Sequence, residues 1–260
     1  MINTIQPDMK GVSYVLIEER INDTLKRIEA ACIRADRNPS EVTLIAVSKT
    51  QPLHMIEEAY KLGIRNFGEN KVQELVQKYD NLKDMYGSNI KWHQIGHLQR
   101  NKVKQVIDKA VLIHSVDSVR LAHMIEKEAS KKNIVCDVLI QVNIAMEATK
   151  NGVSTDELVP LFMELIKLPH IRVRGLMTIA PYVTDPEKNR NYFSKMRQLF
   201  IDIKSKNIDN GLTDIYFDPN SFDILSMGMT GDFEVAVEEG ATMVRIGTGI
   251  FGERDYTISQ

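Results

Sequence analysis

The chain has 260 residues, with 33 basic and 35 acidic side chains, a formal net charge of −2 and a pI near 6.3. Because charges of both signs are interspersed, the sequence lacks the electrostatic footprint of a protein that binds nucleic acid or an acidic membrane. Two cysteines, no apolar stretch near the roughly 18 residues that span a bilayer and no visible signal peptide predict a cytoplasmic protein, and the absence of a decisive self-association patch favours a monomer.

An amphipathic helix is predicted at the start of the chain, over about residues 11–37, because apolar residues recur there at intervals of three and four. After Asn38-Pro39, short apolar runs alternate with amphipathic segments. The predicted strands are 42–48, 64–67, 90–95, 111–114, 136–142, 172–178, 223–227 and 243–246. The predicted helices between them lie near 52–62, 70–79, 99–108, 118–132, 155–168, 187–205 and 232–239. A long polar loop, 206–222, comes before the seventh strand.

Strands that alternate with helices predict a parallel α/β sheet with right-handed crossovers. Eight such units in about 220 residues fit a (β/α)8 barrel, the TIM barrel. The sequence therefore predicts one domain over residues 1–260, with an extra N-terminal helix and the barrel at about 42–252. An open doubly wound sheet is the competing architecture.

Lys49 is the single charge that ends the first predicted strand, whose residues are almost all aliphatic or β-branched. Such a run is typical of a strand that is covered on both faces. Desolvation at its end favours the neutral amine, which is a nucleophile toward aldehydes and suits a Schiff base. The alternative is that Lys49 only extends from the strand end to water.

Glycine-rich segments follow the seventh and eighth predicted strands, where a barrel often binds phosphate. The first segment runs from Ser226 through Gly228 to Asp232, and the second contains Gly247 and Thr248. Glycines let backbone amides approach an anion, and hydroxyl groups can donate to it. These residues predict a phosphate site, unless the glycines simply form turns.

The segment 247–252 also matches the pattern G-x-G-x-x-G of dinucleotide-binding proteins. That pattern must open a strand–helix–strand unit, with an acidic residue about 20 positions later. Only eight residues follow Gly252, so we expect no dinucleotide site.

His93 and His97 have a spacing that would pair them on a helix, but their segment is apolar, contains glycine and is predicted as strand and loop. The pattern H-E-x-x-H is missing and neither cysteine lies nearby, so we expect no metal site. His114, at a strand end, is predicted to be a hydrogen-bonded histidine of the core or rim.

Three polar residues near strand ends are further candidates. Glu69 and Asn70 follow the second strand and are predicted to point into the barrel mouth. The Asn70 amide then contacts a ring substituent of a ligand, or else only caps the next helix. Arg245, in an apolar eighth strand, needs an anionic or acceptor partner, and an ion pair with Glu69 and a bound ligand are the two alternatives.

Six short runs together resemble the pyridoxal phosphate homeostasis protein family, and they occur in that family's order between about Val42 and Gly252. They are Val47-Ser48-Lys49-Thr50, Phe67-Gly68-Glu69-Asn70, Trp92-His93-Gln94-Ile95-Gly96-His97-Leu98-Gln99-Arg100-Asn101-Lys102, Arg174-Gly175-Leu176-Met177-Thr178, Leu225-Ser226-Met227-Gly228-Met229 and Val244-Arg245-Ile246-Gly247-Thr248. The resemblance implies a barrel like the N-terminal domain of alanine racemase, with pyridoxal 5′-phosphate (PLP) as the cofactor.

The same resemblance implies how PLP is held. Lys49 would form the Schiff base with its aldehyde. Ser226, Gly247 and Thr248 resemble the family's phosphate ligands, and Gly228 completes the predicted cofactor-binding set on the phosphate side.

The resemblance also has implications for four more positions. Arg245 aligns with a family arginine that contacts either the phosphate or the pyridine nitrogen, and Asn70 resembles a contact at the side of the ring. Lys150, within Thr149-Lys150-Asn151-Gly152, matches a second family lysine near the site that receives PLP during transfer. Gln51 departs from the family, since many members have lysine there, and any help that lysine gives to PLP exchange would be missing.

The function that these features predict is cofactor handling rather than catalysis. A PLP racemase needs a second acid/base group and a wall that excludes water, which alanine racemase-like enzymes obtain largely from a C-terminal β-domain and a partner subunit. The eight residues after Gly252 leave no room for such a domain. We therefore expect a non-catalytic protein of intracellular vitamin B6 homeostasis, which buffers PLP and delivers it to apo PLP-dependent enzymes.

Two enzymatic alternatives stay open at this point. One is a minimal PLP-dependent amino-acid racemase or related PLP enzyme. The other is a barrel enzyme that acts on a phosphorylated metabolite without PLP.

Overall fold

Eight parallel strands close into a barrel in chain order in the computed structural model, which describes residues 9–147, 149–205 and 217–252. The strands are β1 Thr43–Val47, β2 Asn66–Glu69, β3 Lys91–Gln94, β4 Ala110–Val116, β5 Cys136–Val142, β6 Ile171–Thr178, β7 Ile224–Met229 and β8 Met243–Ile246. Because β8 pairs with β1, none of these eight strands is an edge strand. The (β/α)8 barrel is therefore confirmed, and the open doubly wound sheet is excluded. Residues 206–216 of the predicted polar loop lie outside the described residues.

Helices follow the strands and cover the outside of the barrel. The described helices are α1 Met9–Arg34, α2 Leu53–Lys61, α3 Val72–Tyr86, α4 Val103–Val106, α5 Val119–Lys132, α6 Thr155–Leu165, α7 Arg190–Ser205, α8 Phe233–Glu238 and α9 Thr248–Phe251. The predicted helix at 70–79 continues to Tyr86 and stops where Gly87 adopts a φ of 51°. The helix predicted at 99–108 is shorter, because a 3-10 turn over Arg100–Lys102 precedes the four-residue α4.

The N-terminal helix α1 belongs to the barrel's outer layer, since it packs against α8 and α9. Arg27 of α1 pairs with Glu234 at 2.8 Å, and its guanidinium lies 4.7 Å from the centroid of the Phe233 ring. Arg34 pairs with Glu238 at 2.6 Å. These contacts join the start of the described chain to the elements around β8.

The two faces of the strands carry different residues, because successive side chains of a strand alternate between the barrel interior and the helices. A small apolar cluster of Leu112, Leu139, Met177 and Ile224 fills part of the interior. In three strands a buried polar residue follows an inward apolar residue by two positions, nearer the carboxyl end of the barrel. These pairs are Leu112 and His114, Ile224 and Ser226, and Met243 and Arg245.

Cys32 and Cys136 are free thiols, and both are buried. Burial raises the pKa of the Cys136 thiol to about 12, so this group is protonated at neutral pH. Among the described helices, none is long enough and apolar enough to cross a membrane.

Gly175 of β6 is a position where a side chain would break the barrel. A β-carbon added there would lie 1.8 Å from the carbonyl oxygen of Ile224 in the neighbouring strand, and the backbone φ is +150°. Because that oxygen belongs to the sheet and cannot move aside, we expect Gly175→Ala to lower the free energy of unfolding by about 3 kcal/mol. Urea unfolding measures the loss.

Gly231→Ala is the matched control, since an added β-carbon there meets nothing within 4 Å. It should change the free energy of unfolding by less than about 0.5 kcal/mol. Equal stability of the two variants would contradict the steric argument for Gly175.

Candidate functional site at the carboxyl end of the barrel

Lys49 lies on a tight turn directly after β1, with a half-buried side chain. The turn closes where the Gln51 N–H donates to the carbonyl oxygen of Ser48 at 2.9 Å. Thr50 adopts a φ of +65°, which is rare for a β-branched residue, and its N–H donates to Glu74 Oε2 at 2.8 Å. The backbone on both sides of Lys49 is therefore fixed, and strain is located next to it.

A buried ion pair lies beneath this turn. Ser48 Oγ donates to Glu69 Oε1 at 2.6 Å, and Lys78 Nζ donates to the same oxygen and to the Ser48 carbonyl oxygen, both at 2.7 Å. Burial raises the pKa of the Glu69 carboxyl above its ordinary value, and the opposing effect of the nearby Lys78 charge is smaller. The expectation that Glu69 points into the barrel mouth is wrong, because its carboxylate faces α3 and pairs with Lys78.

Lys78 was not selected from the sequence, although its position carries a signal. It shares the buried stripe of α3 with Val72, Leu75 and Leu82. A lysine within an apolar stripe needs a buried acceptor, and the carboxylate after the preceding strand was available to provide one.

A chain of polar side chains crosses the barrel interior. Arg245 Nη1 donates to Ser226 Oγ at 2.7 Å, and Ser226 Oγ lies 3.1 Å from His114 Nδ1. His114 Nε2 lies 3.0 Å from His93 Nδ1, and His93 Nε2 lies 3.1 Å from Asn66 Oδ1. The chain thus runs from β8 through β7, β4 and β3 to β2. His114 is a hydrogen-bonded core histidine, as predicted.

Arg245 is a buried cation, 4% exposed, with only neutral hydrogen-bond acceptors among the described residues. These are Ser226 Oγ and the carbonyl oxygen of Thr178, which Nη2 reaches at 2.8 Å. Burial lowers the pKa of Arg245 to about 10, with a smaller opposing effect from the charge of Asp232. The guanidinium is therefore ionised at neutral pH, and the alternative of an ion pair with Glu69 is excluded.

Ser226 and Gly228 lie inside β7, and the loop that was predicted to begin at Ser226 begins after Met229. The Ser226 hydroxyl is completely buried and is bonded to Arg245 and His114. Gly228 has a φ of +90°, and a β-carbon there would lie 2.6 Å from Ala236 Cβ of α8. Gly228 therefore permits the close packing of α8, while contact of either residue with a cofactor stays a prediction.

A hydroxyl and amide cluster forms where the loops after β7 and β8 meet. Thr230 Oγ1 accepts from Thr248 Oγ1 at 3.3 Å and from the Gly249 N–H at 3.4 Å. A β-carbon added to Gly247 would lie 3.4 Å from the carbonyl oxygen of Val47, so this loop also adjoins the end of β1. Thr230 was not selected from the sequence, although it is the hydroxyl that comes directly after the true end of β7.

Asn70 is the first residue after β2, and its backbone lies against Gly96 in the loop after β3. It lines a cavity of about 220 Å³ together with Lys71, His97 and Gln99. The helix α3 begins at Val72, and its N-cap residue is Lys71, with no side-chain cap hydrogen bond. The alternative that Asn70 caps this helix is therefore wrong.

Lys150 lies across the mouth, on the loop after β5. It lines a cavity of about 140 Å³ with residues of the loops after β6 and β7, including Tyr182 and Gly231. Its ammonium lies 3.8 Å from a carboxylate oxygen of Glu147. Gly231 directly follows Thr230, so this cavity lies beside the loop that carries Thr230.

His93 and His97 do not converge on one point. His93 is buried in the barrel interior, whereas His97 is exposed and lies 3.5 Å from Asp117 on the loop after β4. Within the described ranges, no group of three histidine, cysteine, aspartate or glutamate residues is placed to hold a metal ion.

The barrel, with a lysine after β1 and an arginine in β8, belongs to the class of alanine racemase N-terminal domains. A sequence model of that family, "Alanine racemase, N-terminal domain", matches residues 24–255. An alanine racemase from Clostridium difficile shares the fold, with a TM-score of 0.65 and 16% identity over 92% of this chain and 58% of the racemase.

Within that class, the chain belongs to the pyridoxal phosphate homeostasis protein family. It is 48% identical to the protein of that name from Aquifex aeolicus over 92% of this chain and 98% of the relative, and 38% identical to the one from Escherichia coli K12 over 89% and 94%. The structure of PipY from Synechococcus elongatus, solved with PLP bound, is 32% identical, with a TM-score of 0.72 over 91% of this chain and all of PipY.

The Glu69–Lys78 pair provides a test of the buried charges. Lys78→Met leaves a buried carboxylate without its cation, and we expect a loss of about 3–5 kcal/mol in the free energy of unfolding. The double variant Lys78→Met/Glu69→Gln should recover most of it, because Glu69 is then neutral and Glu74, which lies 3.7 Å from Lys78 Nζ, is partly exposed to water. Urea unfolding of both variants measures the recovery.

Lys83→Met is the control on the same helix, because Lys83 is exposed and pairs with Asp80 at the surface. It should change the free energy of unfolding by less than about 1 kcal/mol. A double variant as unstable as Lys78→Met would contradict the proposed origin of the loss.

The buried histidines provide a pH-dependent test. Burial is the main cause that lowers the pKa of His93 to about 3 and that of His114 well below 6.5, and Lys91 and Arg245 add repulsion. In the unfolded chain both titrate near 6.5, so below that pH the unfolded state binds more protons than the folded one. Stability should therefore fall as the pH drops from about 6.5 toward 3, by up to about 1.4 kcal/mol per pH unit for each histidine.

The double variant His93→Asn/His114→Gln isolates this effect. Glu69, whose raised pKa acts in the opposite direction, is present in both proteins and cancels in the comparison. Urea unfolding at several pH values should give a flatter dependence for the variant. Equal slopes would mean that the folded protein does not hold its histidines neutral.

Proposed function

We propose that this chain binds PLP at the carboxyl end of its barrel and holds it for vitamin B6 homeostasis, buffering the coenzyme and delivering it to apo PLP-dependent enzymes. Its relatives from Aquifex aeolicus and Escherichia coli are named pyridoxal phosphate homeostasis proteins, and PipY has been solved with PLP bound. The observation that carries the proposal is the meeting of three chemistries where β1, β7 and β8 end. The Lys49 amine follows β1, Arg245 of β8 is bonded to two neutral acceptors among the described residues, and the hydroxyl and amide cluster lies where the loops after β7 and β8 meet.

The chemistry of these donors fits the functional groups of PLP. The coenzyme has three such groups. Its aldehyde condenses with an amine, its phosphate is an anion, and its pyridine nitrogen accepts a hydrogen bond. Lys49 is the amine on the turn after β1. Thr230, Thr248 and the backbone amides at Gly247 and Gly249 can donate to a phosphate without placing a formal charge beside it.

Arg245 is better placed for the ring than for the phosphate. Its hydrogen bonds reach Thr178 and Ser226, and no hydrogen bond joins it to Thr230 or Thr248 within the described residues. We therefore assign its ligand contact to the pyridine nitrogen. In the same scheme Asn70 contacts the side of the ring, and Lys150 receives the coenzyme during transfer. Ser226 and Gly228, both on β7, complete the proposed cofactor-binding set.

Two features support a carrier over a racemase. Arg245 is ionised at neutral pH and can only donate hydrogen bonds, so a ring nitrogen that faces it stays unprotonated and withdraws electrons weakly. The interior histidines His93 and His114 are neutral and bonded to each other, which removes them as acid/base groups for a substrate.

Borohydride reduction tests the binding proposal directly. The protein mixed with PLP should develop the absorption of the lysine-bound coenzyme, and reduction should fix a pyridoxyl group that peptide mapping places on Lys49. Lys49→Ala should lose both signals, whereas Lys61→Ala, an exposed lysine at the end of α2, should keep them. A pyridoxyl group on other lysines alone would contradict the assignment.

The same titration tests the phosphate ligands. Thr230→Val removes a hydroxyl from the cluster and should weaken PLP binding by roughly tenfold or more. Thr155→Val, at the start of α6, is the isosteric control and should leave binding unchanged. If Thr230→Val left PLP binding unchanged, the assignment of the phosphate to this cluster would be wrong.

Delivery and catalysis are separated by two measurements on the loaded protein. An apo PLP-dependent enzyme should regain activity when the loaded protein is added, and failure of this transfer would contradict delivery. Deuterium exchange at the α-carbon of amino acids, present in the native protein and lost in Lys49→Ala, would instead establish the racemase alternative.

A further inference from the structure

We propose that His93 and His114 are positioning residues for Arg245. With Ser226 they form a neutral hydrogen-bond chain of one fixed direction that orients the guanidinium and leaves its charge for a ligand. The direction of the chain follows from the protein alone, whereas its effect on PLP rests on the proposed function.

The direction is set at the Arg245 end of the chain, and the orientation of the Asn66 amide agrees with it. A guanidinium has only donors, so Ser226 Oγ must accept from Arg245 Nη1 at 2.7 Å. The hydroxyl hydrogen of Ser226 is then free to donate to His114 Nδ1 at 3.1 Å. An unprotonated Nδ1 on a neutral imidazole requires a hydrogen on Nε2.

The same step repeats at the second histidine. His114 Nε2 donates to His93 Nδ1 at 3.0 Å, so His93 also carries its hydrogen on Nε2. That nitrogen donates to Asn66 Oδ1 at 3.1 Å, an oxygen that can only accept. Each ring nitrogen of the two histidines and the hydroxyl hydrogen of Ser226 thereby has a partner along this path.

The opposite direction leaves a buried donor unsatisfied. If His114 Nδ1 carried the hydrogen and donated to Ser226 Oγ, the serine hydroxyl hydrogen would lose its acceptor. No other acceptor lies within hydrogen-bond distance of this hydroxyl among the described residues, and Ser226 has no solvent exposure. An unmet donor in such a site is strongly unfavourable, so one pair of tautomers dominates.

Protonation of the chain is opposed by the same contacts. A second hydrogen on His114 would place a cation next to Arg245 and remove the acceptor of Ser226. A second hydrogen on His93 would face the Nε2–H of His114, with the charge of Lys91 nearby. The chain is therefore neutral along its length.

Neutrality has a consequence for Arg245. A buried arginine is ordinarily bonded to a carboxylate, which fixes its geometry and consumes its charge. Here the Ser226 hydroxyl and the Thr178 carbonyl oxygen fix two of its nitrogens, and the imidazoles prevent the hydroxyl from turning away. The guanidinium is held in place while its charge stays available to an acceptor at the barrel mouth.

Histidine tautomers of the protein without PLP provide the first test. Nitrogen-15 NMR of the imidazoles at neutral pH should assign hydrogen to Nε2 in both His93 and His114. Hydrogen on Nδ1 of either residue would overturn the fixed direction, whatever the protein binds.

Two variants of His114 provide the second test. His114→Gln keeps one acceptor and one donor, whereas His114→Leu removes both. We expect His114→Leu to weaken PLP binding by about tenfold and to shift the absorption of the bound coenzyme, and His114→Gln to restore most of both. Circular dichroism of each variant without PLP verifies that it is folded.

His123→Leu, on the exposed face of α5, is the control and should bind like the native protein. A folded His114→Leu variant with native affinity and native absorption would overturn the positioning role while leaving the proposed function intact. If the native protein bound no PLP, the proposed function would be wrong. The tautomer measurement would then be the test of the direction of the hydrogen-bond chain.

Discussion

The pairing of β8 with β1 is the constraint on which the site depends. Its register aligns Ile45 with Arg245 and Ala46 with Ile246, so the loop after β8 meets the turn that carries Lys49. A slip of one residue would turn Arg245 from the interior to the helices, because strand side chains alternate between faces. Closure of the barrel therefore does more than remove edges. It sets the position of Lys49 along the barrel axis relative to Arg245 and to the glycine-rich loop after β8.

Two buried charges near this mouth are accommodated by opposite means. Outside the barrel interior, Glu69 of β2 and Lys78 of α3 neutralise each other and hold Ser48, which precedes Lys49. Inside, the acceptors that bond Arg245 within the described part of the chain are both neutral. The first arrangement has no net charge left to offer, and it suits a structural role. The second keeps a net positive charge in a dry interior, where an acceptor from a ligand gains the most from it.

The barrel and its order of elements could be predicted from the sequence, because strands covered on both faces are continuous apolar runs that stand out between amphipathic helices. The site could be predicted only in part. Lys49 and Gly247 were found at strand ends, but β7 runs through Ser226 and Gly228 to Met229, and Thr230 then takes the position at the mouth. The role of Lys78 and the path between the histidines depend on contacts between distant strands, which a periodic pattern does not contain.

The left-handed backbone at Thr50 has a consequence for how the protein can be loaded and emptied. A β-branched residue with a φ of +65° persists only where its surroundings impose it, and here Glu74 and the closed turn do so. The α-carbon of Lys49 is thus set by main-chain geometry. In the proposed Schiff base, water would release the aldehyde and return the Lys49 amine without refolding of the turn, so occupancy would follow the supply of coenzyme at little conformational cost.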